Sequence, residues 1–119
     1  MQAQQSVLIV DQSEETREVL QTVLRRRGMQ TFSASAADDG LQLAKTHHPD
    51  LIVLDLDIES TDGEDFSGRF AAQSADARTP MVILGTLRRP ETSPPLGEFV
   101  SKPYHFRPLV RKIEELLQH

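Results

Sequence analysis

The fold is decided by residues 49–55, which are Pro49-Asp50-Leu51-Ile52-Val53-Leu54-Asp55. Four consecutive apolar residues without polar alternation predict a strand covered on both faces, as in a parallel sheet flanked by helices. Asp55 ends this strand. Because open α/β sheets bind ligands beyond the carboxyl ends of their strands, the same stretch also predicts where a functional site lies.

The rest of the chain alternates between apolar runs and segments with helical spacing. Together they predict a single α/β domain over residues 1–119, a doubly wound, flavodoxin-like (βα)5 fold with parallel strand order 2-1-3-4-5. The other strands are expected at Val7–Val10, Gln30–Ala34, Met81–Leu84 and Glu98–Ser101.

Local signals predict where helices begin and end. Ser13 precedes two acidic residues and suits an N-cap, and Gly28 suits the left-handed residue after a helix. Ser35, with Asp38 three residues later, suits a capping box for the second helix, and Pro108 suits the first turn of the last helix.

Residues 86–97 break the alternation. The segment contains Pro90, Pro94 and Pro95, which remove backbone donors and clash with a continuous helix. We therefore expect the fourth helix to be short or replaced by a proline-rich loop.

Composition narrows the class of function. The 119 residues include 26% charged and 38% hydrophobic residues, with no cysteine, which excludes disulfides, cysteine zinc sites and a thiol nucleophile. A net charge of −5 argues against nucleic acid as a direct partner. The longest apolar runs are far shorter than a membrane span and no signal peptide precedes them, so a cytoplasmic protein is expected.

Two carboxylates and one ammonium are expected to meet at the carboxyl edge of the sheet. Asp11 and Asp55 end the first and third strands, which are neighbours in the predicted order. Adjacent carboxylates either share a proton or hold a hard cation such as Mg²⁺, for which two carboxylates and a backbone carbonyl suffice. Asp55 can then attack a phosphoryl donor, and Lys102 can pair with the added oxygens.

The sequence resembles the receiver domain of two-component response regulators over nearly its whole length. The resemblance is carried by residues 7–11, by residues 49–55 followed by Asp62-Gly63, and by residues 99–103, which include Lys102-Pro103. It implies that Asp55 is the phosphoacceptor, that Asp11 and the backbone carbonyl of Asp57 help to bind Mg²⁺, and that the Lys102-Pro103 bond is cis. An aromatic residue near Phe99 would be the rotameric reporter.

The same resemblance implies the partners. They are a histidine kinase or a histidine phosphotransfer protein as donor, an output domain or partner protein downstream, and a second copy of the chain in a homodimer. It implies no enzymatic activity beyond self-catalysed phosphoryl transfer and autodephosphorylation. It leaves open whether the domain stands alone or belongs to a longer protein.

Several positions depart from the family pattern. Gln12 stands where a second acidic residue is usual, so it is a weaker candidate for the metal site. The family's switch hydroxyl falls on Gly85, with Thr86 one residue later, so either Thr86 serves or the hydroxyl is missing. Asp57 and Glu59 add charge after Asp55, where they would compensate for Gln12 or repel a phosphodonor.

Two other functions remain open from sequence. One is a degenerate receiver that signals by protein contacts without phosphorylation. Three features favour it: the amide of Gln12 in place of an acid, the lack of a hydroxyl at Gly85, and the expected loss of the fourth helix. The other is a haloacid-dehalogenase-like phosphatase, suggested by Asp55-Leu56-Asp57, although that family places its Asp-x-Asp pair after the first strand.

Overall fold

Five parallel strands form the centre of the molecule. The computed structural model describes residues 4–58, 66–86 and 97–118, and places the strands in the order β2-β1-β3-β4-β5. The strands are β1 (Ser6–Val10), β2 (Gln30–Ala34), β3 (Leu51–Asp55), β4 (Met81–Gly85) and β5 (Gly97–Ser101). The predicted α/β class, parallel arrangement and strand order are confirmed.

Within the described residues, four helices cover the two faces of this sheet. They are α1 (Glu14–Arg26), α2 (Ala37–His47), α3 (Phe66–Ala77) and α4 (Phe106–Leu117). Apolar residues of α1 and α4 pack on one face, and those of α2 and α3 pack on the other. Helices on both faces make this a doubly wound sheet, as expected.

The uniform apolar character of β1 and β3 follows from this layering. Val7 and Ile9 of β1 face the cluster beneath α1 and α4, whereas Leu8 and Val10 face the cluster beneath α2 and α3. All four side chains are completely buried. Since each fully buried aliphatic side chain contributes about 1.5–3 kcal/mol, these central strands hold the carboxyl edge of the sheet in place.

The capping predictions had mixed outcomes. The Ser13 side chain accepts a hydrogen bond from the Thr16 amide, and Gly28 has a φ of 89°, so both of these predictions are confirmed. The capping box at Ser35 is wrong: Ala36 is the N-cap of α2, and its side chain makes no capping bond. Ser35 lies one residue too early, and α2 relies on acidic residues in its first turn and on packing.

The proline-rich prediction falls on residues 87–96, which lie outside the described residues, as does Glu59. Pro108 lies in the first turn of α4, as predicted. Within the described ranges, no helix is both long and apolar enough to cross a membrane.

A glycine at the α2–β1 contact provides a test of this packing. A Cβ atom on Gly40 would lie 2.7 Å from Val10 Cγ2 and 3.1 Å from the Phe70 ring. We predict that Gly40→Ala lowers the free energy of unfolding, because overpacking costs about 1–3 kcal/mol and outweighs the gain of up to about 1 kcal/mol in helix propensity. Urea denaturation measures this, with Lys45→Ala on the exposed face of α2 as the control. An increase in stability for Gly40→Ala would contradict the tight contact.

Candidate functional site

The ends of β1 and β3 bring two carboxylates together. Val10 pairs with Leu54 in the register of the two strands, so the next residues, Asp11 and Asp55, are neighbours. The Asp11 amide donates to the Ala34 carbonyl at 3.1 Å, which continues the sheet by one residue. Asp11 and Asp55 are only 3% and 4% exposed. The predicted carboxylate pair is therefore present and nearly buried.

Asp55 is oriented by two donors. Its Oδ1 accepts a hydrogen bond from the Asp57 amide at 2.9 Å and one from the Lys102 ammonium at 2.7 Å. Neither donor engages Oδ2. The carboxylate is thus fixed through one oxygen, while the other is not held by these two groups.

Lys102 is positioned by the end of β5. Its amide donates to the Gly85 carbonyl at 3.0 Å, and the following bond to Pro103 is cis, as the family resemblance implied. Its Nζ also lies 3.2 Å from Asp57 Oδ2, so it pairs with two carboxylates. Partial burial opposes the charged form, but the hydrogen bonds and charges of Asp55 and Asp57 outweigh it and raise the pKa of Lys102.

Thr86 brings a hydroxyl to this cluster. It directly follows β4, and its Oγ1 donates to Asp57 Oδ2 at 2.8 Å. Gly85, where the family hydroxyl was expected, instead faces the Phe99 ring, which would lie 3.3 Å from a Cβ at that position. The hydroxyl next to the site is therefore that of Thr86.

Asp57 is bound through its side chain as well as its backbone. Slight burial raises the pKa of its carboxyl, but the hydrogen bonds from Thr86 and Lys102 and the charge of Lys102 have the larger combined effect, so the pKa is lowered. The sequence predicts the backbone carbonyl of Asp57 as a metal ligand and its side chain only as added charge near Asp55, without a hydrogen-bond partner. The structure adds a charged side chain that contacts two predicted site residues.

The surroundings of Asp11 disfavour the ionised form of its carboxyl. Burial raises the pKa of its carboxyl, and the neighbouring Asp55 adds to this effect. The Ser13 amide, which donates to Asp11 Oδ1 at 2.8 Å, and the Lys102 charge oppose the shift without cancelling it. Three carboxylates share one ammonium, which leaves the site with an excess of negative charge.

Sequence reasoning missed the residues that shape the loop after β1. The Arg17 guanidinium donates to the carbonyls of Asp11 at 2.6 Å and Gln12 at 3.1 Å. The Gln12 side chain is exposed, so it is not held in the pocket. An arginine in the first turn of the helix was visible in the sequence, but its partners depend on the loop conformation.

An open cleft adjoins the cluster. It has a volume of about 530 Å³ and lies between the end of β1 and the start of α4, with Tyr104 and Phe106 on its wall. It is lined by Asp11, Thr16, Thr86, Lys102, Pro103, Tyr104 and Phe106. The ring centroids of Tyr104 and Phe106 are 5.6 Å apart in an edge-to-face contact. A ligand in this cleft would reach Asp11 and Lys102.

The donor set suits a hard cation. Within residues 4–58, 66–86 and 97–118, no three His, Asp or Glu side chains converge to hold a metal by themselves. The two adjacent and nearly buried carboxylates of Asp11 and Asp55 are nevertheless compatible with Mg²⁺, which takes oxygen ligands and keeps several waters.

The geometry agrees with a family match. The sequence pattern of the response regulator receiver domain covers residues 7–114. The chain belongs to the response regulator receiver family. Since Asp55-Leu56-Asp57 follows β3 in a receiver fold, the family assignment leaves no basis for the phosphatase interpretation.

Curated relatives are transcriptional regulators. The chain is 32% identical to the KDP operon transcriptional regulatory protein KdpE of Escherichia coli, over 95% of this chain and 51% of that protein. It is 29% identical to the alkaline phosphatase synthesis transcriptional regulatory protein PhoP of Bacillus subtilis, over 94% of this chain and 48% of that protein. The chain thus spans about half the length of these relatives.

Solved structures share the fold. The chemotaxis protein CheY4 of Vibrio cholerae superimposes with a TM-score of 0.78 at 24% identity, covering 96% of this chain and 99% of that one. A CheY-like receiver domain protein from Methanospirillum hungatei gives 0.83 at 18% identity, covering 98% and 95%. At these identities the likeness establishes the architecture.

The raised pKa of Asp11 leads to a stability prediction. A carboxyl whose pKa in the folded state lies above its ordinary value of 3.8 binds its proton more tightly when folded, so stability falls as pH rises between the two values. The cost applies wherever the carboxyl is ionised in the folded protein and no cation neutralises it. We predict that Asp11→Asn, which removes the ionisable group, raises the free energy of unfolding at pH 7 in the absence of Mg²⁺.

Urea denaturation in a chelating buffer measures this effect. The control is Glu18→Gln, which also replaces a carboxylate by an amide but on the exposed face of α1. The stabilisation should shrink as the pH is lowered toward the ordinary value of 3.8, because a protonated Asp11 carboxyl no longer carries the cost of ionisation. A destabilised Asp11→Asn protein at pH 7 would mean that the Asp11 charge is well compensated.

Proposed function

We propose that this chain is a phosphorylatable receiver that accepts a phosphoryl group on Asp55 from a phosphohistidine of a histidine kinase or histidine phosphotransfer protein. The observation that carries the proposal is the nearly buried Asp55 carboxylate, held by Lys102 at 2.7 Å and adjacent to Asp11. The pKa values of the neighbouring Asp11 and Lys102 are both raised, and groups with perturbed pKa values are common at functional sites.

The transfer is a displacement at phosphorus. A carboxylate oxygen of Asp55 attacks, a new P–O bond forms, and the P–N bond of the donor breaks. The electron pair of that bond leaves with the imidazole, which takes up a proton. Lys102, whose raised pKa keeps it charged, stabilises the negative charge on the phosphoryl oxygens during this step.

Asp11, Asp55 and the backbone carbonyl of Asp57 would hold Mg²⁺. When bound, the ion would offset the excess negative charge of the carboxylates and of the incoming phosphoryl group. The Ser13 amide and Arg17 support this role, because they fix Asp11 and its loop in one orientation. The exposed Gln12 is the weakest of the predicted ligands.

Downstream, we propose that phosphorylation acts on an output domain or a separate partner protein. The relatives named above are transcriptional regulatory proteins about twice as long as this chain, which supports an output of that kind. The net charge of −5 supports a protein surface rather than nucleic acid as the direct contact of this domain.

A phosphorylation-independent module is the second candidate. It is favoured by the contacts of the Asp57 carboxylate, which occupies the Thr86 hydroxyl and shares the Lys102 ammonium, two groups that a phosphoryl group would contact. In that case Asp55 would be only a structural partner of Lys102. The two functions differ in whether an acyl phosphate forms.

The acceptor assignment predicts the outcome of a small-molecule transfer assay. With Mg²⁺ and phosphoramidate, whose P–N bond resembles that of phosphohistidine, the wild-type protein should gain one phosphoryl group. The adduct should be labile to hydroxylamine, as acyl phosphates are, because the phosphoryl group is attached to a carboxylate. Asp55→Asn should gain none. Intact-protein mass spectrometry reports both.

Glu18→Gln is the matched control, because it removes an exposed carboxylate of α1 that does not line the cleft and should be phosphorylated like the wild type. An unmodified wild-type protein would favour the phosphorylation-independent module. An adduct that persists in Asp55→Asn would place the acceptor elsewhere.

The cation site can be tested without phosphorylation. The chain has one tyrosine and no tryptophan, and Tyr104 lines the cleft together with Asp11. Titration with Mg²⁺ should therefore change the tyrosine fluorescence in a saturable manner. Because a lost ligand weakens a metal site, Asp11→Asn should weaken binding at least about tenfold, and Glu18→Gln should leave it unchanged. Equal binding by Asp11→Asn would exclude Asp11 as a ligand.

A further inference from the structure

We propose that Asp57 competes with the phosphoryl group on Asp55 for the single hydroxyl proton of Thr86, so that phosphorylation exchanges one Thr86 hydrogen bond for another. The inference rests on the proposed function and deepens it, because it identifies a positioning residue that sets how readily the site is occupied.

The Thr86 hydroxyl and the Lys102 ammonium both contact the same oxygen of Asp57. Asp57 Oδ2 accepts the Thr86 hydroxyl at 2.8 Å and lies 3.2 Å from the Lys102 ammonium. The same ammonium lies 2.7 Å from Asp55 Oδ1. The Asp57 carboxylate therefore engages both the Thr86 hydroxyl and the ammonium that pairs with Asp55.

The two donors differ in capacity. A lysine ammonium has three N–H donors, so Lys102 can serve Asp55, Asp57 and a phosphoryl oxygen at once. A threonine hydroxyl has a single O–H, so Thr86 can donate either to Asp57 or to a phosphoryl oxygen, but not to both. The competition consequently falls on Thr86.

Asp57 can give up the hydrogen bond that it accepts from Thr86. Its side chain is 42% exposed, so water can solvate the carboxylate once Thr86 leaves. Thr86 is also exposed, and it lies one residue beyond the end of β4. The exchange thus requires rotation of exposed groups and leaves the buried pair of Asp11 and Asp55 in place.

A double-mutant cycle with beryllofluoride, a phosphoryl mimic, tests the competition. In the presence of Mg²⁺, Asp57→Ala, which leaves no side-chain acceptor for Thr86, should bind the mimic about fivefold more tightly, the factor that corresponds to one hydrogen bond. Thr86→Val should weaken binding less than about twofold in the wild type, where loss of the new bond is offset by loss of the old one. In the Asp57→Ala background it should weaken binding about fivefold.

The cycle distinguishes competition from simple repulsion by the Asp57 charge. If Asp57 acts only as a charge, Asp57→Ala tightens binding but Thr86→Val has the same effect in both backgrounds, and the inference is overturned. If none of the four proteins binds beryllofluoride, the proposed phosphorylation of Asp55 fails and this inference fails with it.

The hydrogen bond between Thr86 and Asp57 can be tested without a metal or a phosphoryl group. In Mg²⁺-free protein, Asp57→Asn should shift the NMR signal of the Thr86 methyl group, because it removes the charged acceptor of the adjacent hydroxyl. Asp76→Asn, an exposed carboxylate on α3, is the control and should leave that signal unchanged. An unshifted Thr86 signal in Asp57→Asn would refute the contact, whatever the outcome for phosphorylation.

Discussion

The ion pair between Asp55 and Lys102 is the interaction on which the site depends. It joins the end of β3 to the end of β5, across β4, at a distance of 2.7 Å. Asp55 is nearly buried, and a buried carboxylate without a partner would be strongly destabilising. Lys102 offsets that cost, yet it also serves Asp57 and leaves Asp11 with little compensation.

The rest of the fold can be understood as support for this pair. Completely buried strands place Asp11 and Asp55 side by side through the register of Val10 with Leu54. Backbone hydrogen bonds to Ala34 and Gly85 extend the sheet just far enough to fix Asp11 and Lys102. Groups that are positioned in advance need little reorganisation when charge develops, which is the condition for electrostatic stabilisation of a transferring phosphoryl group.

The sequence was sufficient to predict the residues that the strands position. Asp11 and Lys102 directly follow β1 and β5, Asp55 is the last residue of β3, and parallel strands bring their carboxyl ends to one edge. The Asp57 side chain, Arg17 and Tyr104 could not be placed in the same way, because their contacts depend on loop conformations that carry no periodic signal. The assignment of Ser35 as a cap was wrong for a related reason, since capping motifs are displaced by a single residue when packing sets where a helix begins.

The position of Thr86 shows why counting along the chain is not enough. Alignment with the family pattern placed the switch hydroxyl on Gly85, yet Gly85 packs against Phe99 and the next residue brings its hydroxyl to Asp57. A shift of one residue reverses the side on which a strand residue projects. Just beyond the strand, however, the backbone is free to turn, and Thr86 reaches the cluster.

The central claim is that Asp55 is the phosphoacceptor and that Lys102 stabilises the phosphoryl group. The most direct measurement is a crystal structure of the protein with Mg²⁺ and beryllofluoride. The account predicts a beryllium fluoride group on a carboxylate oxygen of Asp55, with the Lys102 ammonium and the Thr86 hydroxyl against its fluorine atoms. A structure obtained under saturating conditions in which Asp55 remains unmodified and Lys102 still pairs with Asp57 would contradict it.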